Sequence, residues 1–157
     1  MMSFTHLDSA GRARMVDVTE KAPTVRSATA RGLVRCSAEI VRMLRDGAVP
    51  KGDVLAVARI AGIAGAKRTA ELLPLAHVIG VHGAVVDLEV VDEGVEVAAT
   101  VRTADRTGVE MEALTAVSIA ALAIVDMVKG VDKSVTIEQI RLVAKTGGKS
   151  GDWHRPA

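Results

Sequence analysis

The side chains able to do chemistry in this chain fall in four short stretches. His77 sits in the apolar run Leu73-Pro74-Leu75-Ala76-His77-Val78. Glu110 and Glu112 flank Met111, Asp126 and Lys129 lie three residues apart, and Lys145-Thr146-Gly147-Gly148-Lys149-Ser150-Gly151 sets two lysines among glycines. Carboxylates with a histidine suit general acid–base proton transfer. Lysines suit an anionic ligand, as point charges. The last stretch ends like a phosphate loop, but Val143 stands where that loop requires its first glycine, and too few residues follow for the helix the motif needs. Three readings of it stay open: a disordered terminus, a solvated basic loop, or a mobile flap through which Lys145 and Lys149 reach an anion.

Each candidate also has an ordinary structural explanation. Thr107 and Glu110 have the spacing of a capping box, which predicts that Glu110 closes the start of a helix. Asp126 and Lys129, at i and i+3, suit a surface ion pair. A lone histidine in an apolar run is commonly structural. Neither His82 nor the near-terminal His6 and His154 stand at zinc-binding spacing, and Cys36 is the only cysteine, so no metal site and no disulfide framework are expected.

Spacing sets a further condition. Glu112 and Asp126 share a face of one helix but lie about 21 Å apart along its axis at 1.5 Å per residue. Lys51 and Lys67 bracket another helix over about 24 Å by the same rise. If all of these serve one site, that site is assembled from more than one subunit.

The elements that must position them read coarsely as follows. Val25 to Cys36 alternates Ala28, Ala30, Val34 and Cys36 against Arg31 and Arg35, the pattern of a half-buried strand. Ser37 caps a short helix that ends at Gly47. Asp53 caps a second helix running to Pro74, so rich in alanine and glycine that it is expected to be sandwiched between neighbours. Val86 to Val101 forms a hairpin turning at Asp92-Glu93-Gly94, with Gly94 in the left-handed position of a three-residue loop. A third helix follows from about Thr107 to Gly130, then a strand from about Val135 to Lys145. The class is α+β, with helices packed on a mostly antiparallel sheet. One domain over 1–157 is expected, with flexible termini at about 1–12 and 146–157.

Composition narrows the function classes. Among 157 residues, alanine supplies 25 and valine 24, while Phe4 and Trp153 are the only aromatics of the Phe, Tyr and Trp kind. A flat heterocycle therefore finds no stacking platform in the body of the chain, which disfavours a single-strand nucleic-acid binder. A net charge of +1 disfavours phosphate-backbone binding in general. The longest stretch without Asp, Glu, Lys or Arg, Leu72 to Val86, is interrupted by Pro74 and glycines, so no membrane span is expected, and the N-terminus has no secretory pattern. A cytoplasmic location follows as the expectation.

Taken together, Thr5-His6-Leu7-Asp8, Met15-Val16-Asp17-Val18, Lys51-Gly52-Asp53-Val54, Ala58-Arg59-Ile60-Ala61-Gly62-Ile63, Ala66-Lys67-Arg68-Thr69, the block Thr107 to Ala116 and Lys145 to Asp152 closely resemble the cyclic pyranopterin monophosphate synthase family of molybdenum cofactor biosynthesis. The likeness runs in order from about Phe4 to Trp153, and the Gly108 to Ala116 block is the most specific. The resemblance implies a ferredoxin-like subunit in a homohexamer, a trimer of dimers with sites at subunit interfaces. It implies a lyase without a cofactor that converts 3′,8-cyclo-7,8-dihydro-GTP into cyclic pyranopterin monophosphate and pyrophosphate.

By the same resemblance, Asp126, Lys129, Lys51, Glu112 and His77 are the catalytic residues. Leu75, Ala76, His77, Glu110, Met111, Glu112, Lys67, Lys145 and Lys149 border or bind the substrate. The chain departs from the family's Leu-Cys-His-Pro-Leu, having Leu75-Ala76-His77-Val78-Ile79, and carries Val125 and Val128 where tyrosine and cysteine are common. Loss of the proline loosens the constraint on His77. That change motivates a second reading, a non-catalytic paralogue that binds a pterin or nucleotide or modulates an active one.

Overall fold

The computed structural model describes residues 5–157. Phe4 and the start of the N-terminal segment expected to be flexible lie outside the described residues. The elements in chain order are β1 (Thr24–Arg35), α1 (Ala38–Asp46), α2 (Val54–Lys67), α3 (Thr69–Leu72), β2 (Gly83–Val91), β3 (Gly94–Asp105), α4 (Glu110–Val128), β4 (Thr136–Thr146) and β5 (Trp153–His154). The strands form one antiparallel sheet in the order β2-β3-β1-β4-β5. Two helix-containing crossovers onto such a sheet make an α+β fold of the ferredoxin-like kind.

Alternation along β1 puts Ala28, Ala30 and Val34 under the helices and Arg31 and Arg35 on the other side of the sheet. Val95, Val97, Ala99 and Val101 of β3 extend the same buried layer. On it lie α4, over β1, β3 and β4, and beside it α2, over β2. α4 is long and apolar enough to cross a membrane, but it is a core helix, with Ala113, Ala116, Val117, Ala120, Ala121 and Ile124 buried.

Local signals formed as their chemistry dictates. The Ser37 hydroxyl accepts from the Ile40 N–H at 3.3 Å, and Gly47 ends α1 at φ +63°. The Asp53 carboxylate accepts from the Ala56 N–H at 3.1 Å.

Three boundaries differ from expectation. α2 does not run unbroken to Pro74: it ends at Lys67, and α3 restarts at Thr69. The buried Thr69 hydroxyl donates to the carbonyls of Gly65 and Ala66, at 3.2 and 3.1 Å, competing with the helix's own bonds. The β2–β3 turn has two residues, Asp92 and Glu93, because Gly94 already pairs with Val91 and with Arg35. A side chain at Gly94 (φ +148°) would overlap the Val34 carbonyl, so glycine here is set by close approach of β1. α4 begins at Glu110 rather than Thr107, with no side-chain cap, so the expected capping box is absent.

The small residues of α2 bring it against two neighbours, α4 and β2. Gly62 faces Ala116, Ala120 and Val86, and Gly65 faces Ile119. On the outer side Ile60 is 69% exposed and Val57 43%. A Cβ at Gly62 would lie 3.0 Å from the Ala116 carbonyl oxygen, a backbone atom that has little room to move. Gly62→Leu is therefore expected to cost about 3 kcal/mol of unfolding free energy by overpacking. Chemical denaturation measures it, and an unchanged midpoint would contradict the close packing.

Candidate active site

Two walls enclose a cleft of about 840 Å³. One is the irregular segment after α3, with Leu75, Ala76 and His77; the other is the entry to α4, with Thr107, Gly108, Glu110, Met111 and Glu112. The N-terminal segment closes a third side through Val16, Asp17 and Lys21. A carbonyl can only accept, so His77 Nε2 donates to the Val16 carbonyl and carries a proton.

Glu112 is 4% exposed although it lines the cleft. Burial raises its pKa, its own main-chain N–H lowers it, neighbouring Glu110 raises it and His77 lowers it, with burial dominant. A carboxyl of this kind suits a general acid or a proton carrier beside an imidazole.

The sign of its effect on stability follows. Unfolded, Glu112 ionises at its ordinary value of 4.5; folded, it holds its proton to higher pH. Stability from this group is thus greatest below 4.5, falls as pH rises through the raised value, and is level above it. Glu112→Gln is expected to stabilise the chain by about 1 kcal/mol at neutral pH, remove this slope and abolish activity, the trade found where function strains a site. Thermal unfolding across pH 4 to 8 checks it, and a destabilised variant would contradict it.

Beside the cleft, and sharing Lys21, Thr107, Gly108 and Glu110 with it, is a shallower concavity of about 570 Å³ where Lys21, Arg26, Lys145 and Lys149 converge. Lys145 Nζ lies 3.5 Å from the Glu110 carboxylate and donates to the Ser150 hydroxyl at 2.7 Å. Freed from capping, Glu110 folds back over Gly108, where any side chain would collide with it. Arg26 is buried and donates to the carbonyls of Asp105 and Arg106, at 3.3 and 3.5 Å. The glycine-rich segment turns back so that Gly147 N–H meets the Asp152 carboxylate at 3.0 Å and Trp153 pairs with Lys145. Four cations around one carboxylate form a place for a polyanion.

The remaining charged candidates lie elsewhere. At the far end of α4, Lys129 Nζ donates to Asp126 at 2.8 Å, and Lys51 Nζ lies 3.7 Å from the same carboxylate and donates to the Asp126 main-chain carbonyl at 2.9 Å. The hydrogen bond and charge of Lys129, then the charge of Lys51, hold the Asp126 carboxyl below its ordinary range. Fourteen residues of helix, about 21 Å, separate this triad from Glu112. Lys67 is exposed at the end of α2 and belongs to neither cluster. Among the described residues no group of three or more His, Cys, Asp or Glu side chains could hold a metal ion.

Sequence reasoning missed Lys21, Arg26, Val16 and Asp17. For Arg26 a signal existed: it shares the buried parity of Ala28, Ala30 and Val34, so a guanidinium was bound for the core side of β1. Val16, acting through its main chain, left no such signal.

The ferredoxin-like α+β fold carries a cleft lined by a histidine and carboxylates that opens onto a cationic shelf, an arrangement chemically suited to proton transfers on an anionic small molecule. The chain belongs to the MoaC family, which it matches over residues 15–148. It is 62% identical over 152 residues to the cyclic pyranopterin monophosphate synthase of Streptomyces coelicolor, covering 97% of this chain and 89% of that one. Synthases of the same name from Chloroflexus aurantiacus and Peptoclostridium acidaminophilum are 60% and 52% identical, with 98% of this chain covered in each case and 95% and 98% of theirs.

Proposed function

We propose that the chain is a cyclic pyranopterin monophosphate synthase, converting 3′,8-cyclo-7,8-dihydro-GTP into cyclic pyranopterin monophosphate and pyrophosphate, a lyase reaction. The observation that carries this beyond family membership is the shared wall: Thr107, Gly108 and Glu110 border both the His77–Glu112 cleft and the lysine–arginine shelf. A substrate whose heterocycle rearranges while its triphosphate cyclises and sheds pyrophosphate needs those two environments side by side.

In this reading Leu75, Ala76 and Met111 border the ring, and His77 and Glu112 move protons at it. Lys21, Arg26, Lys145 and Lys149 neutralise the phosphates and the departing pyrophosphate, and Lys67, which lies off this shelf in its own chain, joins them from a neighbouring subunit. Asp126, Lys129 and Lys51 form the second proton-transfer group.

The separation of that triad from Glu112 along α4 supports sites shared between subunits of a homohexamer. So does the apolar outer surface, where Ile60 is 69% and Leu122 54% exposed. The cytoplasm is the proposed location, where GTP-derived substrate is at hand. The test is turnover: purified protein with the cyclised dihydro-GTP should yield cyclic pyranopterin monophosphate and pyrophosphate. Binding without product above an Asp126→Asn control would instead support the non-catalytic reading.

A further inference from the structure

The ten residues between α3 and β2, Leu73 to His82, form neither helix nor strand, yet they carry His77. Ile79 and Val81 rest against the core, but Val78 beside His77 is 86% exposed, so packing anchors the far end of the segment rather than His77. Hydrogen bonds complete the anchoring. His77 Nε2 is bound to the Val16 carbonyl. Every other long-range bond of the segment goes to the end of β3. The Gly80 N–H donates to Asp105 Oδ2 at 3.0 Å, and the Thr103 hydroxyl donates to the Gly80 carbonyl at 2.5 Å. The His82 N–H donates to the Arg102 carbonyl, and the Ala104 N–H to His82 Nδ1, both at 3.0 Å.

Asp105 is the member of this set that faces both ways. Its other oxygen accepts from the Arg106 N–H at 2.8 Å, where the chain leaves β3 for the Thr107–Glu112 wall. One carboxylate thus ties the segment bearing His77 to the segment bearing Glu112. Arg26 reinforces the same point from beneath through the carbonyls of Asp105 and Arg106.

We propose that Asp105 is a positioning residue for the His77–Glu112 pair: through Gly80 it sets the spacing of the two cleft walls and keeps His77 in register with the Val16 carbonyl, as the tautomer protonated on Nε2. The proposal rests on the reading of His77 and Glu112 as site residues of the synthase reaction. A small misplacement of a proton-transfer group is costly in rate even when the group itself is intact.

The test uses full-length protein labelled with ¹⁵N-histidine, as wild type, Asp105→Ala, Asp105→Asn and Asp105→Ser. Asp105→Ala is expected to lower kcat about tenfold with KM within about twofold. Its His77 resonances should move from the distinct bare-Nδ1, protonated-Nε2 pair towards tautomer-averaged positions. Asp105→Asn, whose amide oxygen still accepts from Gly80, should keep the wild-type resonances and kcat within about threefold. Unchanged His77 resonances and kcat in Asp105→Ala would overturn the proposal, as would equal losses in the alanine and asparagine variants. If Asp105→Ala does not fold, Asp105→Ser decides: its side chain is one bond too short to reach the Gly80 N–H that Asp105 Oδ2 holds, and an undisturbed His77 there also overturns the proposal. Absence of turnover in the wild type would sink the synthase reading, while the ¹⁵N comparison would still decide the positioning role.

Discussion

Asp126→Asn is expected to reduce kcat by about 10³-fold while leaving the fold intact, a loss in the range of a missing acid–base group. The side chain is 60% exposed and contacts only Lys129 and Lys51 by charge, so no core packing depends on it. Lys51 keeps its bond to the main-chain carbonyl at 126 in the variant, so the lysine stays near its place. What disappears is the anion. The lowered pKa means that Asp126 is ionised throughout the neutral range, able to take a proton or to hold a lysine charged, and asparagine does neither. The measurement is kcat and KM alongside thermal unfolding. A variant with wild-type kcat and unchanged stability would reduce the triad to a surface ion-pair network of little consequence.

Mixing two inactive variants is expected to restore activity. Asp126→Asn disables one end of α4 and Glu112→Gln the other, about 21 Å away at 1.5 Å per residue. A substrate reaching both within one chain would have to span that distance. With the proposed sites shared across a two-fold interface, the two ends come from different copies, so a mixed pair has one site carrying both lesions and one carrying none. Random pairing makes half the dimers mixed with one intact site of two, so recovery should approach about a quarter of wild-type activity. Co-expression at equal levels and assay of the unfractionated pool checks it, with two tags to show that the mixed species has formed. Recovery of nothing, from a mixed species shown to have formed, would confine each site to a single chain.

The strands and caps were readable because their causes are local. Period-two alternation assigned the faces of β1, and Ser37, Gly47 and Asp53 each act on a backbone group within four residues. The misreadings were also local rules, overruled from a distance. Thr107 and Glu110 have the spacing of a capping box, but Glu110 is drawn to Lys145, 35 positions on, which the β1–β4 pairing brings alongside. Gly94 has the chemistry of a loop glycine, but β1 lies against it and makes it a strand residue of a two-residue turn. The break in α2 depends on a threonine hydroxyl that competes only because it is buried.

By itself the sequence determined the inventory: an α+β chain with buried alanine–valine faces, a histidine and two glutamates in defined stretches, and lysines enough for a polyanion. Tertiary structure decided how that inventory is divided. Pairing of Ala28 with Lys145 across β1 and β4 brings Lys145 and Lys149 near Arg26, and the return of the chain after α3 sets His77 against Glu112. The physical reason is range. Periodicity and capping act over a few residues along the chain, whereas strand register and a hydrogen-bonded crossover join residues 60 to 120 positions apart, and only those long-range pairings make one cleft of them.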